Sequence, residues 1–137
     1  MKKNLLLLVA VIASLTCCKS APKDLVNRPK NDMKAFIEIL KELSNDSEAY
    51  VRIKVANNPN TPASVLEQLA KDSDKWVRLG VAKHSNTPTE VLTYLMDDTD
   101  IWVVNAVAAN NNTSEDVLTK LAQHLDKLVR SEVAENL

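Results

Sequence analysis

Few side chains in this sequence could do chemistry, and the two most reactive lie side by side. Cys17 and Cys18 are the only cysteines among 137 residues. Adjacent cysteines make a strained and rarely used disulfide, and no third thiol is present to pair with either. No CxxC or longer ligand spacing exists, so a zinc or iron–sulfur site is not expected. The thiols sit behind Lys2 and Lys3 and an unbroken apolar run from Leu5 to Ala13. That run is too short for the ~20 apolar residues a membrane helix needs. A basic start, a short apolar stretch and a small-residue exit describe a secretory signal over residues 1–17.

Leu15-Thr16-Cys17-Cys18 resembles a bacterial lipoprotein signal. The resemblance implies that one cysteine is acylated and becomes the new N-terminus. Leu15 stands at the third position before Cys18, which makes Cys18 the expected site and Cys17 the alternative. Each buried CH₂ of an acyl chain contributes about 0.8 kcal/mol, so several chains anchor stably. Lys19 follows, not the aspartate linked to inner-membrane retention, so the resemblance points to the outer membrane facing the periplasm. Residues 18–32, with Pro22 and Pro29, read as an extended tether.

The remaining titratable groups fall in columns. Without Lys2 and Lys3 the chain keeps 15 basic against 18 acidic residues, a net charge of −3. Nucleic-acid binders draw most of their affinity from phosphate contacts, so a mildly acidic chain is not expected to be one. Asp46, Asp72, Asp98 and His124 form one column, and Glu48, Asp74, Asp100 and Asp126 another. Both precede helices, where carboxylates are stabilising caps. Arg52, Arg78 and Arg130 stand near enough to pair with them between units. His84 replaces an asparagine and His124 an aspartate, at non-equivalent positions far apart in the chain. No acid–base pair, metal site or cofactor is expected from them. The chain is therefore read as a non-enzyme.

These columns exist because the chain repeats. Val51-Arg52-Ile53-Lys54-Val55-Ala56 recurs at Val77, at Val103 and at Val129, always 26 residues on. Val65-Leu66-x-x-Leu69 recurs in the same register, and Ile39-Leu40-x-x-Leu43 precedes it. The array spans 33–137: three full units over 51–128, with half-units at 33–50 and 129–137. Each unit reads as two short helices, one beginning near Asp74 and one after Thr87-Pro88. Thr61, Thr87 and Thr113 are expected to cap the second helix, with Thr87-x-x-Glu90 as a capping box. The single glycine, Gly80, argues against β-sandwiches and phosphate-binding loops, and nothing alternates with a period of two. The expected fold is all-α: a short α-solenoid of stacked pairs, since one pair cannot bury its own apolar face. At 26 residues per unit, the first helix is expected to be short or partly 3₁₀.

The pattern V-R-x-x-V-A-x-N-P-x-T-P-x-x-V-L-x-x-L-A-x-D, complete from Val51 to Asp72, is similar to the leucine-rich repeat variant family within the HEAT-like solenoids. The second unit departs at Ser85, and the third at Val104, Asn111 and Ser114. The resemblance implies stacked short helices and a binding surface. One relative carries an iron–sulfur cluster on a separate cysteine-rich segment, which this sequence lacks. The family transfers no catalytic residue.

Tyr50, Trp76 and Trp102 form an aromatic column, with Leu128 in the fourth place. Aromatics in register either pack between units or make a partner-binding stripe, and Leu128 favours packing. Tyr50, Trp76, Trp102, Arg52 and Arg78 are the candidate partner contacts. The expected function is a lipid-anchored, monomeric, protein-binding module presented to another envelope protein. Alternatives are an accessory domain of an envelope enzyme, an exported repeat protein without lipid, and a unit that stacks end to end. Ser131, Glu132 and Glu135 resemble a solubilising cap and speak against open stacking.

Overall fold

A computed structural model describes residues 30–136, with side chains from Met33 onward. The expected secretory signal, Cys17, Cys18 and most of the expected tether lie outside the described residues. Among those described there are eight α-helices and no strand. They are α1 (Lys30–Leu43), α2 (Ala49–Ala56), α3 (Ala63–Leu69), α4 (Lys75–Lys83), α5 (Thr89–Leu95), α6 (Ile101–Ala109), α7 (Glu115–Leu121) and α8 (Lys127–Asn136). No helix among the described residues is long and apolar enough to cross a membrane. α1 starts inside the segment expected to be spacer.

Helices of the first kind (α2, α4, α6, α8) pack on one another in succession, and each unit's second helix packs beside them. The apolar positions that recur in each unit become one continuous core. Leu66, Leu92, Val77, Val103 and Val129 are fully buried in it. At roughly 25 cal/mol per Å² of apolar surface removed from water, such burial drives the stacking. Gly80 sets the closest approach. A Cβ there would lie 2.9 Å from the Cβ of Ala56 in the preceding unit.

Two local expectations are corrected. The first helices are α-helical and 8 to 10 residues long, whereas α3, α5 and α7 have seven residues each. The short repeat is accommodated by trimming the second helix. The threonines do not cap that helix either. Thr61, Thr87 and Thr113 are buried and donate, at 2.6 Å, to the carbonyls of Val55, Val81 and Val107. A carbonyl in the last turn of a helix lacks an intrahelical donor. Here each carbonyl already takes the backbone N–H three residues on, from Asn58, His84 or Asn110, and the hydroxyl adds a second bond that fastens the loop to the helix it has just left. Pro62, Pro88 and Ser114 hold the N-cap position instead, and only Ser114 lends a side-chain oxygen, to Val117 N–H. Three of the four first helices begin on a capping aspartate (Asp74, Asp100 and Asp126), whereas Glu48 before α2 makes no side-chain cap bond. Asp74 and Asp100 accept from Trp76 N–H and Trp102 N–H.

Candidate functional site: an exposed aromatic edge on a polar ladder

Asparagine and histidine lock the units together at the loop after each first helix. The side-chain oxygens of Asn58 and Asn110 accept from the backbone N–H of Asn60 and Asn112. Nδ1 of His84 does the same for Asn86 N–H at 3.0 Å. The amides then reach back one unit: Asn110 Nδ2 donates to the carbonyls of Ala82 and His84, and Asn136 Nδ2 to those of Ala108 and Asn110. Nε2 of His84 lies 2.8 Å from the carbonyl of Asn58. Nδ1 faces an N–H and Nε2 a carbonyl, a pattern that the tautomer with its proton on Nε2 satisfies. His84, the C-cap residue of α4, thus takes the part that asparagine plays in the other units. Asn58 Nδ2, the first amide of the series, is buried and meets no acceptor among the described residues.

A second ladder runs through the turn before each first helix. Arg52 grips Asp72 with two bonds, Nε–Oδ2 at 2.6 Å and Nη2–Oδ1 at 2.9 Å. Arg78 grips Asp98 in the same way at 2.6 and 3.0 Å. Nη1 of each arginine donates to two carbonyls of its own turn: Asp46 and Ser47 for Arg52, Asp72 and Ser73 for Arg78. The arginine side chains are 14% exposed and the aspartates 8% and 6%. The hydrogen bonds from Arg52 hold the Asp72 carboxyl below its ordinary range against the opposing effect of burial. For Asp98 burial is the larger single influence and pushes upward, yet Arg78 and the N–H of Asp100 together hold it below that range. The arginines expected as partner contacts are therefore committed to joining units.

The third unit breaks this ladder at both ends of one rung. Val104 stands where arginine is expected and is buried, and His124 stands where its aspartate would be. His124 keeps the local task of the aspartate, with Nδ1 accepting from Asp126 N–H at 3.0 Å. Restoring one end alone is predicted to harm the protein. Val104→Arg places a guanidinium in a buried position without a carboxylate and should cost about 2–4 kcal/mol. Val104→Arg with His124→Asp should recover most of that loss. A double-mutant cycle by urea denaturation reads the coupling, expected at about 1–3 kcal/mol.

The aromatic column faces outward. Tyr50 is 68%, Trp76 52% and Trp102 55% exposed, and Leu128 continues the row in the open. This overturns packing between units as its role. Core positions are taken by the next residue in each unit: Val77, Val103 and Val129 are fully buried. The rings are held in place even though they are open. The Lys54 ammonium lies 5.0 Å from the Tyr50 ring centroid, and that of Lys75 5.2 Å from Trp76. Lys75 also bonds Asp100 Oδ2 at 3.0 Å, and Asp100 Oδ1 accepts from Trp102 N–H. This chain of contacts ties the Trp76 ring to the backbone that carries Trp102. The Lys75 hydrogen bond keeps the Asp100 carboxyl below its ordinary range.

An open groove of about 480 Å³ lies against the second ladder, lined by Lys71, Asp72, Arg78, Tyr94, Asp97 and Asp98. Tyr94 is exposed there, and sequence reasoning misses it, because its column holds Gln68 and Lys120 and shows no aromatic pattern. Of the groove's charged lining, Arg78 and Asp98 are paired with each other and Asp72 with Arg52. Among the described surfaces, the aromatic edge sets a large exposed side chain in register in successive units.

Residues 50–74 match the leucine rich repeat variant family. The chain thus carries a leucine rich repeat variant unit, and the repeat register extends its pattern through an all-helical array. No curated protein and no solved structure matches the chain.

Proposed function

We propose that this protein is a non-catalytic protein-binding module of the bacterial cell envelope, acylated at Cys18, with Cys17 as the alternative, and held at the outer membrane facing the periplasm. The observation that carries the binding role is the open edge of Tyr50, Trp76 and Trp102, set in register by the repeat. Tryptophan and tyrosine supply large contact area at low entropic cost and are over-represented among binding hot spots. A row with one ring per unit suits a partner that lies along the solenoid. Two lysines and three carboxylates beside the rings (Lys54, Lys75, Glu48, Asp74 and Asp100) supply a polar rim. The anchor rests on the sequence alone: Lys2 and Lys3, the apolar run, and Leu15 ahead of the cysteines. The proline-containing tether gives the solenoid reach from the membrane to a partner in the same envelope.

The anchor is tested by the intact mass of the membrane-fraction protein beside a Cys17→Ser/Cys18→Ser variant. The expected result is a chain beginning at Cys18 with added acyl mass, and release of the variant from the membrane. An unacylated chain whose location is unchanged in the variant would leave the solenoid without its tether.

A further inference from the structure

The two ends of the described array are complementary halves. α1 is a helix of the second kind and α8 a helix of the first kind, and equivalent positions at the two ends are four repeats apart. In the interior, Arg52 and Arg78 each take the aspartate of the following turn, Asp72 and Asp98. Arg130 is held as its equivalents are, with Nη1 donating to the carbonyls of His124 and Leu125. Among the described residues its Nε and Nη2 meet no carboxylate. Asp46 is the reverse case. Its carboxylate accepts from Glu48 N–H just as those of Asp72 and Asp98 accept from Asp74 and Asp100, but no arginine reaches that carboxylate among the described residues. Were the register carried four repeats on, Asp46 would stand where Arg130 grips.

The next contact in the register also carries opposite charges. Asn57 of one unit lies beside Gly80 of the next. The equivalents at the two ends are Glu135 and Lys54, both exposed. Ala134 is exposed too, although Ala56, Ala82 and Ala108 at the same position are fully buried by the unit that follows. The amide of Asn58, which meets no acceptor among the described residues, lies at the same end as Asp46 and Lys54.

We infer that a second copy of this chain seats its α1–α2 end on α8 of the first, so that the two half-units complete one repeat. Arg130 then grips Asp46 of the second copy, Glu135 faces its Lys54, and Ala134 is covered. The contact joins unlike surfaces, so it propagates head to tail and does not stop at a symmetric pair. Glu135, read from sequence as part of a solubilising cap, becomes one half of a charge pair, and the module is not a monomer at high local concentration. The exposed aromatic edge would run on from copy to copy.

Sedimentation velocity tests this on the full chain carrying Cys17→Ser and Cys18→Ser, which removes acylation. The expected result is a weight-average sedimentation coefficient that climbs from micromolar to millimolar protein. Arg130→Glu and Asp46→Lys should each weaken association at least about tenfold, because like charges then meet at the junction. An equimolar mixture of the two should regain head-to-tail association, since both junctions between unlike copies then carry opposite charges. Lys54→Glu and Glu135→Lys form a second, independent couple that leaves both ladders untouched, with the same expectation. A concentration-independent coefficient for the wild-type array would overturn the inference. So would single variants that associate as the wild type does, or mixtures that stay apart while each variant keeps the wild-type melting temperature.

Discussion

Arg78→Ala is expected to destabilise the protein by about 3–5 kcal/mol, the range for stripping one partner from a buried ion pair. The loss has three parts. Asp98 is left buried without its cation, the carbonyls of Asp72 and Ser73 lose their donor, and the turn before α4 loses its clamp. Arg78→Met with Asp98→Leu should be far milder than Arg78→Ala, because removing both charges strands neither. Urea denaturation midpoints of the three proteins decide the order. The acid response follows from the same geometry. Asp72 and Asp98 titrate below the ordinary value of 3.8 when folded, so the unfolded chain takes up protons first. Stability from these pairs is therefore present above that value and lost as pH falls through the folded pKa values. The wild-type array should weaken in that acid window, and Arg78→Ala should show a shallower loss there, since Asp98 no longer has the guanidinium holding it ionised. Equal acid slopes would mean that the ladder does not couple to folding.

Trp76→Ala with Trp102→Ala is the second large effect, on binding and not on folding. The rings are half exposed and their loss uncovers no core, so the melting temperature should change little, with a cost within about 1 kcal/mol. Hot-spot aromatics contribute about 2 kcal/mol or more each, so the pair should lower affinity for the proposed partner by at least about a hundredfold. Capture titrations from solubilised envelopes measure this, with Tyr94→Ala as the comparison in the charged groove. If Tyr94→Ala alone removes binding and the tryptophan pair keeps it, the working face is the groove.

The array itself is legible because periodicity survives substitution. Val51, Val77, Val103 and Val129 mark every first helix, and the Val-Leu-x-x-Leu spacing marks every second. The Arg–Asp pairing is visible as two columns, although which turn each arginine reaches emerges only from the fold. Direction is what the sequence does not supply. Trp76 and Val77 are neighbours, and a rotation of about 100° per residue around the helix sends one to water and the other to the core. Leu128 reads as a sign of packing, yet it shares the open edge. The threonines mislead for a similar reason. A hydroxyl before a helix normally caps it, but here it turns inward as a second donor to a last-turn carbonyl of the helix just left. The histidines become intelligible only beside their equivalents: Nδ1 mimics the oxygen of asparagine in one turn and of aspartate in the other. Tyr94 gives no signal, because the groove it lines is made by the stacking of units.

The central claim is that the aromatic edge of the first helices meets the partner while the second helices serve as scaffold. Site-specific photo-crosslinking in intact envelopes tests it most directly, with the photoreactive residue placed in turn at Trp76 and at Lys120 on α7. The account predicts one discrete adduct from position 76, lost when Trp102→Ala is added, and none from position 120. An adduct of equal yield from both positions, or from position 120 alone, would contradict it.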